Sequence, residues 1–318
     1  MINNIPKISV LVITYNQEDV ISRAIESLLS QKEYIYEICV SDDCSKDRTW
    51  DILMNYDKKY PGLFKLNRNN PNLGIFENIE KTWTMPSGDI IYQLSGDDEC
   101  GLGWFSKVID YINKNQIDIE NDAFSIYGDF KCIYPDGDSF VKRNVAVTSG
   151  ISPLRLSYRL IIGNRGTCFS KNVLNRFIKV SQGRSYVAES AQDRQIQMFS
   201  KKSYYIPCVA NIYYANIGVS GHMKESDRAE RQAVEEYAMQ IAQKEGFSIN
   251  DVDKRYAKYR VFFFAFLREK RLGNFLKMIW WFIISIDPEL GKYNFSFKRS
   301  MFAVARRIPH KKPICWSI

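Results

Sequence analysis

The fold of this chain is decided by residues 8–43, which read ISVLVITYNQEDVISRAIESLLSQKEYIYEICVSDD. The run from Ile8 to Ile13 is almost entirely apolar, as in a parallel strand that is buried on both faces. Apolar residues then recur every three or four positions from Val20 to Leu29, which indicates an amphipathic helix. A second strand pattern, Tyr36 to Val40, follows and ends in Ser41-Asp42-Asp43. The stretch is therefore predicted to be a βαβ unit.

The alternation of strands and helices continues over the first hundred residues. After a helix that begins near Asp47, we expect a strand at Phe64 to Leu66, a helix at Ile75 to Trp83 and a strand at Ile90 to Leu94. This order predicts an α/β fold with a Rossmann-like, doubly wound sheet. Sheets of this kind bind their ligands beyond the carboxyl ends of the strands.

Three predicted loops lie at such strand ends: Thr14 to Asn16, Ser41 to Asp43 and Ser95 to Asp98. The adjacent carboxylates of Asp97 and Asp98 repel each other unless a cation or hydrogen-bond donors lie close by. A hard divalent ion that is shared with substrate phosphates meets that need. Gly-Asp-Asp alone equally describes a solvated turn, but the second acidic pair at a strand end favours a functional site.

The pattern beyond Gly101 is less regular. We expect strands at Ala123 to Tyr127, Phe130 to Tyr134 and Gly163 to Phe169, a helix at Val187 to Phe199, an aromatic strand pair at Tyr204 to Tyr214 around Pro207, a charged helix at Asp227 to Glu245, and a basic, aromatic helical tail from about Asp251. The chain is accordingly divided into residues 1–225, a catalytic domain, and residues 226–318, a helical extension.

The overall composition is that of a globular protein, with 45% hydrophobic and 25% charged residues in 318. The net charge of +8 makes an anionic partner such as a nucleotide, a nucleic acid or a lipid headgroup plausible. Seven cysteines without a CxxC pair indicate reduced thiols, and two histidines argue against a Cys/His zinc site. The short polar start and the lack of an apolar run of about 20 residues lead us to expect a cytoplasmic protein.

The order of four segments resembles family 2 glycosyltransferases of the GT-A fold, over roughly residues 5 to 222. They are ISVLVITYNQEDVISRAIESLLSQ, EICVSDDCSKDRTWDIL, NLGIFENIEKTWTMPSGDIIYQLSGDDE and ESAQDRQIQMFSKKSYYIPCVANIYY. The first looks like the opening strand, nucleotide loop and helix of the family, and the second like its Asp-Asp-x-Ser turn. The third is similar to the run that ends at the metal-binding DxD element, and the fourth to the segment with the catalytic base. The resemblance implies a GT-A, mixed doubly wound sheet with a C-terminal helical extension.

The resemblance also implies roles for individual residues. Asp193 falls on the catalytic base, and Asp97 and His222 fall on metal ligands, with Mn²⁺ or Mg²⁺ as the expected ion. The implied nucleotide-sugar-binding residues are Thr14, Tyr15, Asn16, Asp42, Asp43, Asn72, Gly74, Ser95, Gly96 and Asp98. Outside the resemblance, Asp193 equally fits a solvated helix position and His222 a surface loop.

The sequence departs from the family pattern at several positions. Ser95 replaces the first Asp of DxD, so a metal would be held by fewer charges. Gln192 stands where a Glu precedes the catalytic Asp, Glu77 where many members have Arg, and Cys44 where Gly is usual.

These residues predict an inverting hexosyl- or related glycosyltransferase. A metal or cations would neutralise the diphosphate leaving group, and Asp193 would take the proton of the attacking hydroxyl. The resemblance implies a nucleoside-diphosphate sugar as the donor, UDP before dTDP or GDP. It also implies an acceptor that is a glycan or lipid-linked sugar in bacterial surface polysaccharide (O-antigen or capsule) synthesis.

Two other functional classes fit parts of the sequence. A nucleotidyltransferase would share the carboxylates and the metal, but it should carry a Gly-rich phosphate loop, and neither GxGxxG nor GxxxxGK occurs. A nucleic-acid-binding protein fits the charge, but the acidic loops at the predicted crevice would repel nucleic acid. We therefore expect no nucleic-acid partner.

The tail between Tyr256 and Ile286 combines aromatic and aliphatic residues with Lys and Arg, and includes Trp280-Trp281. The apolar run from Met278 to Ile286 is too short to span a bilayer but suits a helix lying in its interface. The tail is predicted to hold the protein at the inner membrane surface. A buried helical hairpin or an oligomer contact has the same composition, so the oligomeric state is left open.

Overall fold

The structure is a computed structural model that describes residues 6–158, 162–179, 189–215, 243–244, 246, 255, 258 and 272–286. Its strands are β1 (Ile8–Thr14), β2 (Ile35–Asp42), β3 (Phe64–Arg68), β4 (Ile90–Ser95), β5 (Glu99–Cys100), β6 (Phe124–Ile133), β7 (Ser139–Lys142), β8 (Cys168–Ser170) and β9 (Lys202–Tyr214). Its helices are α1 (Ile21–Leu29), α2 (Thr49–Lys59), α3 (Ile75–Thr82), α4 (Trp104–Lys114), α5 (Pro153–Tyr158), α6 (Lys171–Leu174), α7 (Glu189–Phe199) and α8 (Leu272–Ile283). Short 3₁₀ turns occupy Lys32–Tyr34 and Val145–Ser149.

The strands form one mixed sheet in the order β3-β2-β1-β4-β8-β6-β9-β5, with β7 paired to β6. Strands β1 to β4 are mutually parallel where they pair, β8 is antiparallel to both β4 and β6, and β9 runs parallel to β6. The α/β, GT-A-type mixed sheet expected from the sequence is therefore confirmed.

Both faces of the sheet are covered, which explains the nearly uninterrupted apolar strands. Alternate residues of β1 belong to two separate clusters, since Val10 and Val12 pack with α1 and α4, whereas Leu11 packs toward α6 and α7. Trp104 and Phe105 open α4 at 0% exposure, and Tyr92 meets Phe105 edge-on with ring centroids 5.1 Å apart. This packing fixes the carboxyl ends of the central strands in space.

The structure corrects the sequence prediction on the far side of the sheet. The two strands predicted at 123–134 are one strand, β6, which continues through Gly128. A Cβ there would lie 2.5 Å from Ala210 Cβ and 2.8 Å from Trp104 Cζ3, so the glycine marks a close strand contact and not a break.

The aromatic strand pair predicted around Pro207 is also one strand, β9. In the register with β6, Tyr127 pairs with Tyr205 and Asp129 pairs with Val209. Strand β9 therefore has extra residues between these two pairs, and Pro207 lies within the resulting β-bulge. The strand predicted at Gly163 to Phe169 is confined to Cys168–Ser170, and α4 was not predicted.

The predicted charged helix at Asp227 to Glu245 and the proposed domain boundary at residues 225–226 lie almost wholly outside the described residues, so both stay predictions. The segment Leu272–Ile283 of the predicted tail is helical, as α8. No helix within the described ranges combines the length and the apolar character that a membrane crossing requires.

Candidate functional site

The carboxyl ends of three adjacent parallel strands bring the predicted loops to one edge of the sheet. In the register, Thr14 of β1 is opposite Asp42 of β2, and Ile13 is opposite Ser95 of β4. The backbone continues this pairing into the loops, since Asp43 N donates to Thr14 O at 3.0 Å and Gly96 N donates to Ile13 O at 2.9 Å. The three loops that were expected to form the crevice therefore lie side by side at one edge of the sheet.

The loop after β1 is tied to the loop after β2. Asn16 has a left-handed backbone (φ 50°), and its amide donates to Ser45 Oγ at 2.9 Å. In return, Lys46 N donates to Asn16 Oδ1 at 2.8 Å. Asn thus suits this position in two ways, because it tolerates positive φ and its side chain closes the neighbouring turn. Tyr15 beside it is 45% exposed and available to a ligand.

Asp42 is fully buried and organises the Asp-Asp-x-Ser turn. Its carboxylate accepts hydrogen bonds from the Ser45 hydroxyl and from Ser45 N (3.1 Å), and Arg68 Nε lies 3.4 Å from Oδ2. Burial raises the pKa of Asp42 above its usual value, although Ser45 and Arg68 act in the opposite direction. The side chain shapes the loop from inside.

Asp43 holds the loop that leads into α3. Its carboxylate accepts the backbone amides of Leu73 and Gly74, each at 2.8 Å, and Asn69 Nδ2 at 2.9 Å. Asn72 Nδ2 donates to the Asp43 carbonyl at 2.7 Å. The predicted site residues Asp43, Asn72 and Gly74 are therefore brought together, in a network that also fixes the crevice wall.

Gly96 allows the turn after β4 to approach the loop after β1. A Cβ on Gly96 would lie 2.3 Å from Gln17 Oε1 and 3.1 Å from the Ile13 carbonyl oxygen. Gln17 Oε1 is itself fixed, because it accepts the Thr14 hydroxyl at 2.8 Å. Only glycine fits here without displacing one of these groups, so the acidic turn lies directly against Thr14 and Gln17.

The second carboxylate of the turn is paired within the protein. Asp98 is 2% exposed, and Arg165 Nη1 donates to its Oδ2 at 3.1 Å. The Arg165 guanidinium lies 3.7 Å from the centre of the Tyr213 ring, and Tyr214 N donates to Asp98 Oδ1 at 3.4 Å. Arg165 therefore neutralises Asp98 and connects the acidic turn to the segment before β8.

A second arginine holds the other side of the same turn. Arg23 of α1 donates from Nη2 to the Asp97 carbonyl at 2.7 Å, and its Nε lies 3.3 Å from Glu99 Oε1. Its guanidinium stacks 3.6 Å from the centre of the Tyr214 ring. Burial, together with the hydrogen bond from the Tyr214 hydroxyl to Glu99, raises the pKa of Tyr214 to about 12.

These four side chains, Arg23, Arg165, Tyr213 and Tyr214, were missed by the sequence reasoning. The apolar spacing of α1 predicts its buried face but gives no information about the contacts of Arg23, which lies on the opposite side of the helix. Arg165 meets Asp98 across 67 positions of the chain, and no local pattern encodes such a contact. The run of aromatic residues near Tyr214 was noticed, but only as a strand signal.

Asp193 lies on α7, one helical turn before Gln197. Gln197 is 3% exposed, and its amide donates to Asn164 Oδ1, the residue before Arg165. Helix α7 is thus linked through Asn164 and Arg165 to the acidic turn. His222 lies outside the described residues, so its assignment as a metal ligand stays a prediction.

The donor set of the turn fits a divalent ion held partly by substrate. Asp97 is partly exposed, whereas Asp98 is buried against Arg165. Within the described part of the chain, no three His, Cys, Asp or Glu residues form a metal-binding group. Mg²⁺ commonly uses only one or two carboxylates and takes its other ligands from phosphates and water. One carboxylate beside a diphosphate is compatible with that mode of binding.

Comparisons with known proteins agree with this geometry. A family model described as Glycosyl transferase family 2 matches residues 9–177. The chain is 31% identical over 114 residues to "Putative glycosyltransferase EpsE" of Bacillus subtilis, which covers 36% of this chain and 41% of that protein. It is 32% identical over 115 residues to "Poly(ribitol-phosphate) beta-glucosyltransferase" of Bacillus spizizenii, or 36% of this chain and 18% of that protein. The chain therefore aligns with less than half the length of either relative.

Solved structures share the fold over nearly the whole chain. The S. aureus TarS fragment 1–349 in complex with UDP-GlcNAc superposes with a TM-score of 0.59 at 15% identity, covering 98% of this chain and 95% of that one. A second structure of S. aureus TarS 1–349 superposes with a TM-score of 0.56 at 16% identity, covering 95% of this chain and 87% of that one. At these identities the likeness concerns the fold alone.

Proposed function

The chain belongs to glycosyl transferase family 2, and from that premise we propose that it transfers a sugar from a nucleoside-diphosphate sugar to a hydroxyl group of a glycan or lipid-linked acceptor. A UDP-sugar is the favoured donor. The observation that carries the proposal is the convergence of Thr14, Asp42 and Ser95 at the carboxyl ends of neighbouring parallel strands. Nucleotides bind at this edge of doubly wound sheets.

The similar proteins support the choice of donor and acceptor class. TarS was crystallised with UDP-GlcNAc, and the Bacillus spizizenii relative is described as acting on poly(ribitol-phosphate). The first description favours a UDP-sugar donor, and the second favours a polymeric acceptor. We extend these properties to the present chain as part of the proposal, with O-antigen or capsule synthesis as the expected setting.

The reaction breaks the bond between the sugar and a diphosphate, so negative charge develops on the leaving group. We propose that Asp97 holds a Mn²⁺ or Mg²⁺ ion, with His222 as a further ligand, and that the ion supplies charge neutralisation. Arg23 and Arg165 hold the backbone of the acidic turn, so the turn that carries Asp97 need not be ordered when the donor binds.

The acceptor hydroxyl must lose a proton as it attacks the anomeric carbon. We propose Asp193 as the general base. A single base on the side opposite the leaving group gives an in-line displacement that inverts the anomeric centre. The contacts of α7 support this assignment. Gln197 of α7 binds Asn164, and the next residue, Arg165, binds Asp98, so the helix that carries Asp193 is connected to the acidic turn.

The proposal also places the protein at the inner face of the cytoplasmic membrane. A lipid-linked acceptor diffuses only in the membrane plane, so an enzyme that is held at that surface meets its substrate more often. The sequence of the tail, with its tryptophans and basic residues, supports this location.

A calorimetric titration with UDP, with Mn²⁺ or with EDTA, tests the donor site. We expect Mn²⁺ to strengthen UDP binding to the unaltered protein, and Asp97→Asn to abolish that gain while leaving the melting temperature nearly unchanged. Asp110→Asn on the exposed face of α4 is the matched control. Equal Mn²⁺ dependence in Asp97→Asn would refute the metal assignment.

The products distinguish the two enzyme classes. A glycosyltransferase that is incubated with UDP-GlcNAc or another UDP-sugar releases UDP, whereas a nucleotidyltransferase that is given UTP and a sugar phosphate releases pyrophosphate. Pyrophosphate release without UDP release would overturn the proposed function in favour of nucleotidyl transfer.

A further inference from the structure

Helix α8 carries a row of large apolar side chains that face solvent. The spacing of four, four, three and three positions keeps them on one side of a helix with 3.6 residues per turn and of the turn that follows it. We call this row the α8 stripe: Leu272 (70% exposed), Leu276 (58%), Trp280 (60%), Ile283 (55%) and Ile286 (53%). Isolated exposed apolar residues are common on proteins, but a continuous row marks a surface that is covered in use.

A second face of α8 is also apolar but is less exposed. Met278 is 1% exposed and lies in a cluster with the partly buried Phe275, Ile279, Trp281 and Phe282 of the same helix. The helix is therefore apolar on two faces, and the α8 stripe is the more exposed of the two. A helix that needed only to fold would carry polar residues along the α8 stripe.

Basic groups lie close to α8. Lys277 is exposed on the helix itself, next to Leu276 in the sequence. The Lys258 ammonium lies 4.6 Å from the centre of the Trp281 ring, and Arg255 Nη1 donates to the Ile284 carbonyl at 3.4 Å. Between residues 254 and 286 the sequence has eight Lys or Arg residues and one acidic residue, Glu269. A helix that combines an exposed apolar stripe with basic groups matches the headgroup region of an anionic bilayer.

We propose that the α8 stripe inserts into the headgroup region of an anionic membrane, with the nearby lysines and arginines on lipid phosphates. Trp280 favours this depth because indole rings prefer the interface between water and hydrocarbon. A second copy of the chain is a poorer occupant, because pairing two α8 helices brings the basic residues of both tails together. Membrane insertion does not depend on the proposed function, but its purpose does, which is to bring the crevice to a lipid-linked acceptor.

The experiment is co-sedimentation of the full chain with vesicles. Vesicles of phosphatidylcholine alone are compared with vesicles that contain about one third phosphatidylglycerol, at low and at high salt. We expect binding to the anionic vesicles only, weakened by salt. Leu276→Glu combined with Trp280→Glu should lower the apparent partition coefficient at least ~10-fold, because two apolar side chains that would be buried in the membrane are replaced by carboxylates.

Leu102→Glu is the matched control. Leu102 is 80% exposed but lies at the start of α4, far from α8 in the sequence, and its replacement should leave vesicle binding unchanged. The melting temperature and UDP binding of each variant report on the fold. UDP binding that fails in every variant and in the unaltered protein would contradict the proposed donor site, whereas the vesicle result would still stand.

Two outcomes would overturn the inference. One is equal sedimentation of the Leu276→Glu, Trp280→Glu variant and the unaltered protein with anionic vesicles. The other is a dimer on size-exclusion chromatography that the double substitution dissociates, together with no vesicle binding by the unaltered protein. The second result would identify another copy of the chain as the occupant of the α8 stripe.

Discussion

Replacing Arg165 with Met should destabilise the protein through Asp98. In the structure the Asp98 carboxylate is 2% exposed, and its charged partner is Arg165, whose Nη1 lies 3.1 Å from Oδ2. Methionine keeps much of the stem and its packing on Tyr213 but removes the charge. The Asp98 carboxylate would then be buried beside Tyr214 N with one charged partner fewer.

The expected magnitude follows from burial. Removing one partner of a fully buried ion pair is destabilising by roughly 3–5 kcal/mol. Arg165 is 31% exposed, so water reaches the vacated position and the loss should be smaller, about 2–3 kcal/mol after that discount. At roughly 2.1 cal/mol/K of unfolding entropy per residue, a chain of 318 residues loses about 1.5 °C in melting temperature per kcal/mol, so we expect a fall of about 3–5 °C.

The assay is thermal unfolding followed by circular dichroism at neutral pH. Arg48→Met is the matched control, because Arg48 Nε lies at the same distance of 3.1 Å from Glu18 Oε2 but the Arg48 side chain is 80% exposed. An exposed pair contributes about 0.5 kcal/mol, so the control should lose no more than about 1 °C. Asp98→Asn combined with Arg165→Met should lose less than the sum of the two single substitutions. Equal shifts in Arg165→Met and Arg48→Met would refute the reasoning.

Two further predictions concern the base and the response to acid. Asp193→Asn keeps the shape of the side chain but cannot accept a proton, so turnover should fall ~10²-fold or more while the Kd for UDP stays constant. If turnover were preserved and UDP binding lost, Asp193 would be a binding residue and not the base. Burial tends to raise the pKa of Glu37, but Lys65, 2.6 Å away, and hydrogen bonds from Ser87 and Ser9 outweigh it and lower this pKa to about 2. Because the pKa of Glu37 is lower in the folded state, its stabilisation is present above the unfolded pKa, about 4.3, and is lost as pH falls toward 2. Urea unfolding should therefore show that Glu37→Gln loses more unfolding free energy at pH 7 than at pH 3. An equal loss at both pH values would contradict the prediction.

The sequence was sufficient where a single strand or loop carried the information. The buried run of β1 and the acidic ends of β2 and β4 follow from local hydrophobic pattern, and parallel pairing places their ends together without further assumptions. Helix α4 could also have been found, because Trp104, Phe105, Val108, Ile109 and Ile112 recur with helical spacing and are all buried.

The remaining features depend on contacts between distant segments. Gly128 lies in the gap between two predicted strands, but in the structure it continues β6, and its lack of a side chain is required by Ala210 on the neighbouring strand. Pro207 was interpreted as a break, but the bulge in β9 accommodates it. The pairing of Asp98 with Arg165 likewise depends on how β8 and β9 join the sheet, which no local periodicity specifies.

The long strand β9 has a consequence for how this protein can be divided. The family match ends at residue 177, but β9 at Lys202–Tyr214 lies between β6 and β5 and contributes both tyrosines that stack on the arginines of the acidic turn. A fragment cut at the family boundary would leave the ten-residue strand β6 with an open edge, which favours aggregation. Chimaeras with related chains should therefore keep at least residues 6–215 from one parent and place the junction beyond β9.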